Sequence, residues 1–318
     1  MISLGCSHSK RRKHGKTSEG TQRYRCSECG KCFTESTDRL GGMRIGMDKA
    51  EMIIRCLLEG SSVNSTTRIT GADKHTILDL LVLIGGRCQR FMKNYLCGIE
   101  VKDVQADEVW AFVGCKQKTA ERLKKGAEFG DAYCYTSIER ETKLIVAWHL
   151  GKRSGEDTSE FCRTLAASTQ GTFQLTTDGY APYAWAVPVH LRARGIDFAQ
   201  LVKTYGPTTQ SDQRRYSPAT ISGIKKTRQM GNPNPESICT SHVERSNLTI
   251  RMSIRRFTRL TNGFSKKWEN HEAALGVFFA FYNFCRTHET IKTSPAVKHG
   301  LATYVWTIRE LIERTCNA

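Results

Sequence analysis

The sequence predicts a mixed α/β domain preceded by a helical block and a short cysteine-containing block. From about residue 100, strand-like runs alternate with helix-like runs, which is typical of helices layered on a mixed sheet. From about residue 43 to 96 the apolar spacing is helical. The first 39 residues have too few apolar side chains for a core of their own. We therefore expect segments at 1–40, 43–97 and 100–295, with a helical tail at 296–318.

Composition narrows the possible functions. The 318 residues include 48 Lys and Arg against 31 Asp and Glu, giving a net charge of +17. The positive charge is concentrated at 10–16 and 245–259, which favours a polyanionic partner. No apolar run is long enough to span a membrane and no secretory signal is visible. Most of the 13 Cys lie singly in apolar or mixed segments, which is typical of a reducing cytoplasm.

The helical block has the pattern of a helix-turn-helix. Helices are predicted at 48–59 and 62–69, and Gly71 allows a turn before a helix that starts near residue 73. In this motif the N-terminal residues of the last helix face base edges, which here are Lys74, His75 and Asp79. An ordinary three-helix bundle has the same spacing and remains an alternative.

The third block supplies the predicted sheet. Strands are expected at 104–113, 133–138, 144–150, 173–177 and 198–202, with helices at 156–167 and 181–194. Residues 205–239, rich in Pro, Gly, Ser and Thr, are expected to be an irregular insertion. A long helix is then predicted from 241 to about 259, and a last one at 271–285.

Three acids stand out within this pattern. Asp107 interrupts a central strand, where a charge is costly unless it is paired or binds a metal. Asp178 ends another strand, and Glu244 shares a helix face with Asn247, Arg251 and, one turn on, Arg255. Close carboxylates favour a divalent cation, so we expect two Mg²⁺ or Mn²⁺ ions at the three acids. We expect Arg245, Asn247, Arg251 and Arg255 to contact the DNA whose phosphate backbone runs beside these ions.

Each acid also has a structural interpretation. Asp107 could be a hydrogen-bonded core acid, Asp178 a helix cap, and Glu244 a member of a solvated ion pair. Strand alternation places Glu108 on the face opposite Asp107, so we assign it a supporting role. Asp197, Asp212 and Glu236 are rival third acids, but none of them has the helix with its row of Arg.

Taken in order, the motifs resemble those of DDE transposases of the insertion-sequence-one family. The matching segments cover nearly the whole chain: Gln22–Lys31, Glu59–Leu78, Asp107–Trp110, Thr177–Gly179, His242–Arg251 and Tyr282–Pro295. The resemblance implies a ribonuclease-H-like catalytic domain with Asp107, Asp178 and Glu244 as metal ligands and Arg251 as a phosphate contact. It also implies binding to terminal inverted repeats and target DNA, strand cleavage and strand transfer, a dimer on DNA and a cytoplasmic, nucleoid-associated location.

The chain departs from the family pattern in two places. The family's zinc-binding leader has two Cys-x-x-Cys pairs, whereas here Cys26 and Cys29 form one pair and Cys6 alone matches the other, with Ser3 in its partner's place. A structural Zn²⁺ site has four ligands, so whether this segment binds Zn²⁺ stays open. His8 and Cys32 are candidates to replace the missing ligand. The second departure is the long spacing between Asp178 and Glu244. There are two alternatives to an active transposase. One is a degenerate copy that binds DNA as a repressor, and the other is a stand-alone nuclease.

Overall fold

The computed structural model describes residues 10–16, 22–34, 40–206, 221–258 and 261–317. These form two compact units, Met1–Ile45 and Gly46–Ala318. The first unit holds an antiparallel sheet of β1 (Arg11–Lys16), β2 (Gln22–Cys26) and β3 (Cys32–Thr34). After β2 the buried Cys26 Sγ accepts hydrogen bonds from the backbone N–H groups of Glu28 and Cys29, at 3.4 and 3.5 Å.

The second unit begins with three helices, α1 (Met47–Leu58), α2 (Val63–Thr70) and α3 (Lys74–Tyr95). Capping residues fix their ends, because Ser62 caps α2, Gly71 closes it in the left-handed conformation and Asp73 caps α3. The apolar stripe predicted along α3 is buried and packs mainly against a later helix of the same unit. The boundaries of a separate helical domain at 43–97 stay a prediction.

The bounds of the remaining elements follow in chain order: β4 (Ile99–Glu100), β5 (Asp103–Val113), α4 (Gln117–Arg122), β6 (Gly130–Glu139), β7 (Ile145–Gly151), α5 (Gly155–Ser168), β8 (Thr169–Gln170), β9 (Gln174–Asp178), α6 (Tyr183–Leu191), β10 (Asp197–Tyr205), β11 (Ile221–Met230), α7 (Ser241–Ser253), α8 (Trp268–Phe284), α9 (Pro295–His299) and α10 (Ile308–Arg314).

The central sheet has six strands in the order β11-β10-β9-β5-β6-β7. Strands β5, β9 and β10 are parallel, whereas β6, β7 and β11 pair antiparallel with their neighbours. An antiparallel meander of three strands that continues into parallel strands through helical crossovers is the ribonuclease-H-like arrangement. The predicted mixed α/β fold is therefore confirmed.

Helices cover both faces of this sheet. On one face Tyr135 of β6 contacts Phe161 of α5, and α6 packs beside α5. On the other face Thr136 lies against α7, and Trp148 of β7 contacts Phe279 of α8. Among the described residues, no helix is both long and apolar enough to cross a membrane.

Two predictions about elements were wrong, and one helix was not predicted. The helix predicted to reach 259 ends at Ser253, where Ile254 turns to an extended conformation and a short 3-10 turn, Arg255–Phe257, follows. The expected irregular insertion contains β11, which pairs along β10. Helix α4 was not predicted. Residues 207–220, which include Asp212, lie outside the described residues.

Candidate active site

Asp107 and Asp178 are brought together by the register of two parallel strands. Ala106 of β5 pairs with Thr177 of β9, so the next residues along each strand, Asp107 and Asp178, lie side by side. Asp178 ends its strand, and its Oδ1 accepts a hydrogen bond from the backbone N–H of Tyr180 at 3.0 Å. The predicted meeting of two strand acids has this geometric basis.

Glu108 joins these two acids. One carboxylate oxygen from each of Asp107, Glu108 and Asp178 lies within 4.8 Å of the others. Glu108 itself does not line the cleft described below and pairs with Arg153. The supporting role expected from strand alternation therefore stays a prediction.

Glu244 lies in the same cleft without belonging to this tight cluster. Asp107, Asp178 and Glu244 all line a cleft of about 510 Å³. The Glu244 side chain is 45% exposed and forms an ion pair with Lys203 of β10. Its Oε1 also accepts a hydrogen bond from Thr240 Oγ1 at 2.6 Å. The three predicted acids therefore converge, with the helix acid at the open side.

Burial and mutual repulsion raise the pKa values of the clustered acids. Burial, followed by the charge of Asp178, raises the pKa of Asp107 to about 7 and that of Glu108 to about 8. Burial also raises the pKa of Asp178, and Glu244 adds repulsion. The buried carboxylate oxygens of Glu108 face the Arg153 guanidinium and the Tyr183 hydroxyl. A hard divalent cation is the group that such oxygens fit, since it would neutralise their charge.

Arg153, which the sequence analysis did not single out, is the cation nearest to the cluster in the described chain. Its Nε lies 3.3 Å from Glu108 Oε2, and an Nη lies 3.9 Å from Asp178 Oδ2. The guanidinium also stacks on the ring of Tyr180 at 4.2 Å. Arg153 follows β7 in the loop before α5, and no spacing rule connects that loop to the acids, so no sequence signal pointed to it.

Two buried amides tie the helix of Glu244 to the strand of Asp107. Gln105 Oε1 accepts hydrogen bonds from the backbone N–H groups of His242 and Val243, at 2.9 and 3.3 Å, and so caps α7 from β5. Asn247 Nδ2 donates to Asp107 Oδ2 at 2.8 Å. Asn247 is only 4% exposed, so its side chain contacts Asp107 of β5 where the sequence predicted a contact with DNA.

The other predicted residues are distributed as follows. Arg245 and Arg255 are exposed, Arg251 is half-buried, and Arg255 lies beyond the end of α7 instead of on its face. On α3, Lys74, His75 and Asp79 are exposed. Cys6 lies outside the described residues, while Cys26 is buried and Cys29 exposed. The rival acid Asp197 does not line the cleft, and its Oδ1 accepts a hydrogen bond from the backbone N–H of Asn232.

One curated protein that resembles this chain in sequence comes from an insertion element. The insertion element iso-IS1n protein InsB of Shigella dysenteriae is 23% identical over 180 residues, which cover 57% of this chain and 95% of that protein. No model of a known protein family matches the sequence.

Solved structures offer only distant likenesses. A piggyBac transposase synaptic complex with hairpin DNA gives a TM-score of 0.36 at 9% identity, covering 85% of this chain and 70% of that one. The Aquifex aeolicus Argonaute gives 0.27 at 9% identity, covering 56% and 28%. Endonuclease V of Bacillus subtilis gives 0.21 at 13% identity, covering 65% and 91%. These TM-scores are too low to support an inference about function.

Proposed function

We propose that this protein is a DDE transposase that cleaves DNA strands at the ends of an insertion element and joins them to target DNA. The observation that carries the proposal is the convergence of Asp107, Asp178 and Glu244 in one cleft of a ribonuclease-H-like sheet. The sequence likeness to an insertion-element protein supports it independently, as does the order of motifs shared with the insertion-sequence-one family.

The proposed site needs divalent cations, most simply two Mg²⁺ or Mn²⁺ ions. Bound ions would activate the attacking oxygen and stabilise the charge on the leaving oxygen. Asp107 and Asp178 would hold them from the strand ends, and Glu244 from α7. Gln105 and Asn247 keep that helix and Asp107 in fixed positions.

The reaction has two phosphodiester exchanges. In the first, a water oxygen bonds to phosphorus at the element's end and loses a proton to solvent, while the bond from phosphorus to the 3′ oxygen breaks and that oxygen takes up a proton to become a 3′ hydroxyl. In the second, this 3′ hydroxyl oxygen bonds to a target phosphorus, loses its proton, and displaces a 3′ oxygen of the target strand. No side-chain nucleophile takes part, which accords with a site built from carboxylates.

The partners proposed are terminal inverted repeats, bound through the helix-turn-helix, and target DNA. Paired cleavage at two element ends favours a homodimer on DNA, and a cytoplasmic location at the nucleoid follows from that partner. Zn²⁺ bound through Cys26 and Cys29 remains part of the proposal. The alternative function is a catalytically inactive copy that binds the repeats and represses.

A strand-transfer assay with the element's own ends and a target plasmid tests the proposal. Wild-type protein with Mn²⁺ should give joined product, whereas Asp107→Asn, Asp178→Asn and Glu244→Gln should each abolish cleavage and still bind the ends. Asp197→Asn, outside the cleft, is the matched control and should retain activity. Full cleavage by any of the three cleft variants would show that its acid is not part of the site. If the wild type binds the terminal repeats but neither cleaves nor joins DNA, the repressor function is favoured.

A further inference from the structure

Arg256 is a half-buried cation outside the catalytic cleft. It lies in the 3-10 turn between α7 and α8, and its Nη1 donates to Ser265 Oγ at 2.9 Å. Burial lowers its pKa to about 10, and in the described part of the chain no acidic group offsets that effect. A partly desolvated charge gains from an opposite charge, so an anion is a favourable ligand at this position.

Within the described residues, Arg256 uses few of its N–H donors in hydrogen bonds to the protein. Ser265 Oγ, which accepts from Arg256, also lies 2.9 Å from Nδ1 of the buried His271. Ser265 therefore bridges the guanidinium of Arg256 and the ring of His271. Burial and the charge of Arg256 lower the pKa of His271 to about 3, so the ring is neutral. A guanidinium has five N–H donors, and most of those on Arg256 remain available to a ligand.

Two adjoining cavities open onto Arg256. One, of about 300 Å³, lies between the N-terminal part of α3 and the connection from α7 to α8, and its lining includes Lys74, Arg255 and Lys266. The other, of about 640 Å³, has Lys116 in its lining. Neither lining contains an Asp or Glu. The charged residues in the linings of the two cavities are thus all basic, and they lie around the half-buried guanidinium among mostly apolar neighbours.

We propose that Arg256, with Lys74 and Lys266, forms a binding site for a phosphodiester of the DNA backbone, separate from the three catalytic acids. The planar fork of Arg matches two phosphate oxygens, and flanking Lys side chains favour a polymeric anion over a single ion. Lys74 opens α3, the helix predicted to face DNA, so one duplex could contact both features. The inference rests on the proposed function because it takes DNA as the partner.

The test measures binding of the full chain to a 30-base-pair duplex in EDTA, where cleavage cannot interfere. Arg256→Gln should weaken binding about 10-fold or more, as expected for loss of a charged hydrogen bond. It should also reduce the slope of log affinity against log salt by about 1. Arg163→Gln is the control, because this exposed residue of α5 pairs with Glu160 and its loss changes the net charge equally.

Single methylphosphonates, which remove the charge of one phosphate, locate the contact. Wild type should lose affinity when the contacted phosphate is replaced, and Arg256→Gln should be indifferent to the same replacement. The exposed Lys266→Gln repeats the comparison in case Arg256→Gln does not fold. A folded Arg256→Gln with wild-type affinity and slope overturns the proposal, as does a Lys266→Gln variant with wild-type affinity at every phosphate.

Two further outcomes separate the sources of failure. If inorganic phosphate protects wild type but not Arg256→Gln from thermal unfolding while DNA affinity is unchanged, the site takes a free anion and the DNA assignment is wrong. Tighter binding of single-stranded RNA than of the duplex also overturns it. If strand transfer occurs and Arg256→Gln binds DNA as tightly as wild type does, only this inference is wrong. If the wild type binds no DNA at all, the proposed function itself is wrong.

Discussion

Asp107 and Glu108 are adjacent in β5 and hold protons at pH values where free carboxylates have lost them. Burial and the charge of Asp178 raise their pKa values to about 7 and about 8 from the ordinary values of 3.8 and 4.5. Between about pH 4 and 8 the folded state therefore binds more protons than the unfolded chain, and stability falls as pH rises through this window. Without divalent cations, we expect the Tm of wild type to fall from pH 5 to 8 more than that of Asp107→Asn.

Measuring Tm in the presence of Mn²⁺ tests whether carboxylate charge causes this fall in stability. A bound cation would compensate the carboxylate charge, so at pH 8 it should raise the Tm of wild type by several degrees at concentrations well above its Kd. Asp107→Asn should gain less, and Asp197→Asn, outside the cleft, should behave as wild type. Equal gains in all three proteins would mean that the cation acts elsewhere.

Asn247 is expected to act through Asp107 and not through DNA. Removal of its hydrogen bond in Asn247→Ala should reduce the apparent affinity for Mn²⁺ or the rate of cleavage about 10- to 100-fold, as for other residues that orient metal ligands. Because Asn247 is buried, DNA affinity in EDTA should not change. Thr249→Ala is the control, since that hydroxyl donates to a carbonyl of its own helix. Weaker DNA binding in EDTA would restore the contact first predicted from the sequence.

At the scale of single residues the sequence identified the acids and not their surroundings. Asp107 and Asp178 were identifiable because a charge within or at the end of an apolar strand has few structural uses. The supporting role expected for Glu108 stays a prediction, although one of its carboxylate oxygens lies close to those of Asp107 and Asp178. Arg153 and Gln105 act across distant elements, through an ion pair and a helix cap that no local spacing encodes.

Among the elements, α3 and α8 approach so closely that glycine is required between them. A Cβ on Gly85 would lie 2.5 Å from Cα of Ala273, and one on Gly276 would lie 2.7 Å from the Gly85 carbonyl oxygen. We expect Gly85→Ala to destabilise the protein by about 2 kcal/mol, because overpacking outweighs the gain in helix propensity. Urea unfolding followed by circular dichroism measures this.

The next residue of α3 provides the matched control. A Cβ on Gly86 would meet only an Arg90 side-chain nitrogen at 3.6 Å, which is ordinary contact. Gly86→Ala should therefore stabilise the protein by about 0.5–1 kcal/mol. If both variants shift stability in the same direction, close packing of α3 on α8 is not what constrains Gly85.

Element by element, periodicity predicted most helices and strands to within a few residues. It failed where tertiary contacts decide the conformation. Strand β11 is mostly exposed, so it has no apolar alternation to detect, and its pairing with β10 defines it. The end of α7 at Ser253 was hidden because the buried Ile254 and Phe257 continue the apolar spacing past the break.

At the scale of the whole molecule, the order of strands in the sheet was not accessible from the pattern. The sequence indicated a mixed sheet, but which strand lies in the middle depends on pairings between residues far apart in the chain, such as Ala106 with Thr177. The family resemblance supplied the arrangement that local periodicity could not.

The positive charge is shared between both units. Residues 1–45 contain ten Lys and Arg against four Asp and Glu, while the core helices and the six-stranded sheet belong to residues 46–318. Since residues 46–318 form a compact unit with its own buried core, deletion of residues 1–45 should leave their Tm within about 2 °C of wild type, a change of under 1 kcal/mol.

The same deletion should weaken binding to any duplex and flatten its salt dependence, because phosphate contacts set that slope. Strand transfer from pre-cleaved ends at saturating protein should persist, since Asp107, Asp178 and Glu244 are retained. Substitution of Lys10, Lys13 and Lys16 by Gln in the full chain controls for charge alone. A large fall in Tm on deletion would mean that the sheet of β1–β3 supports the catalytic unit, and an unchanged salt slope would mean that the first unit does not contact DNA.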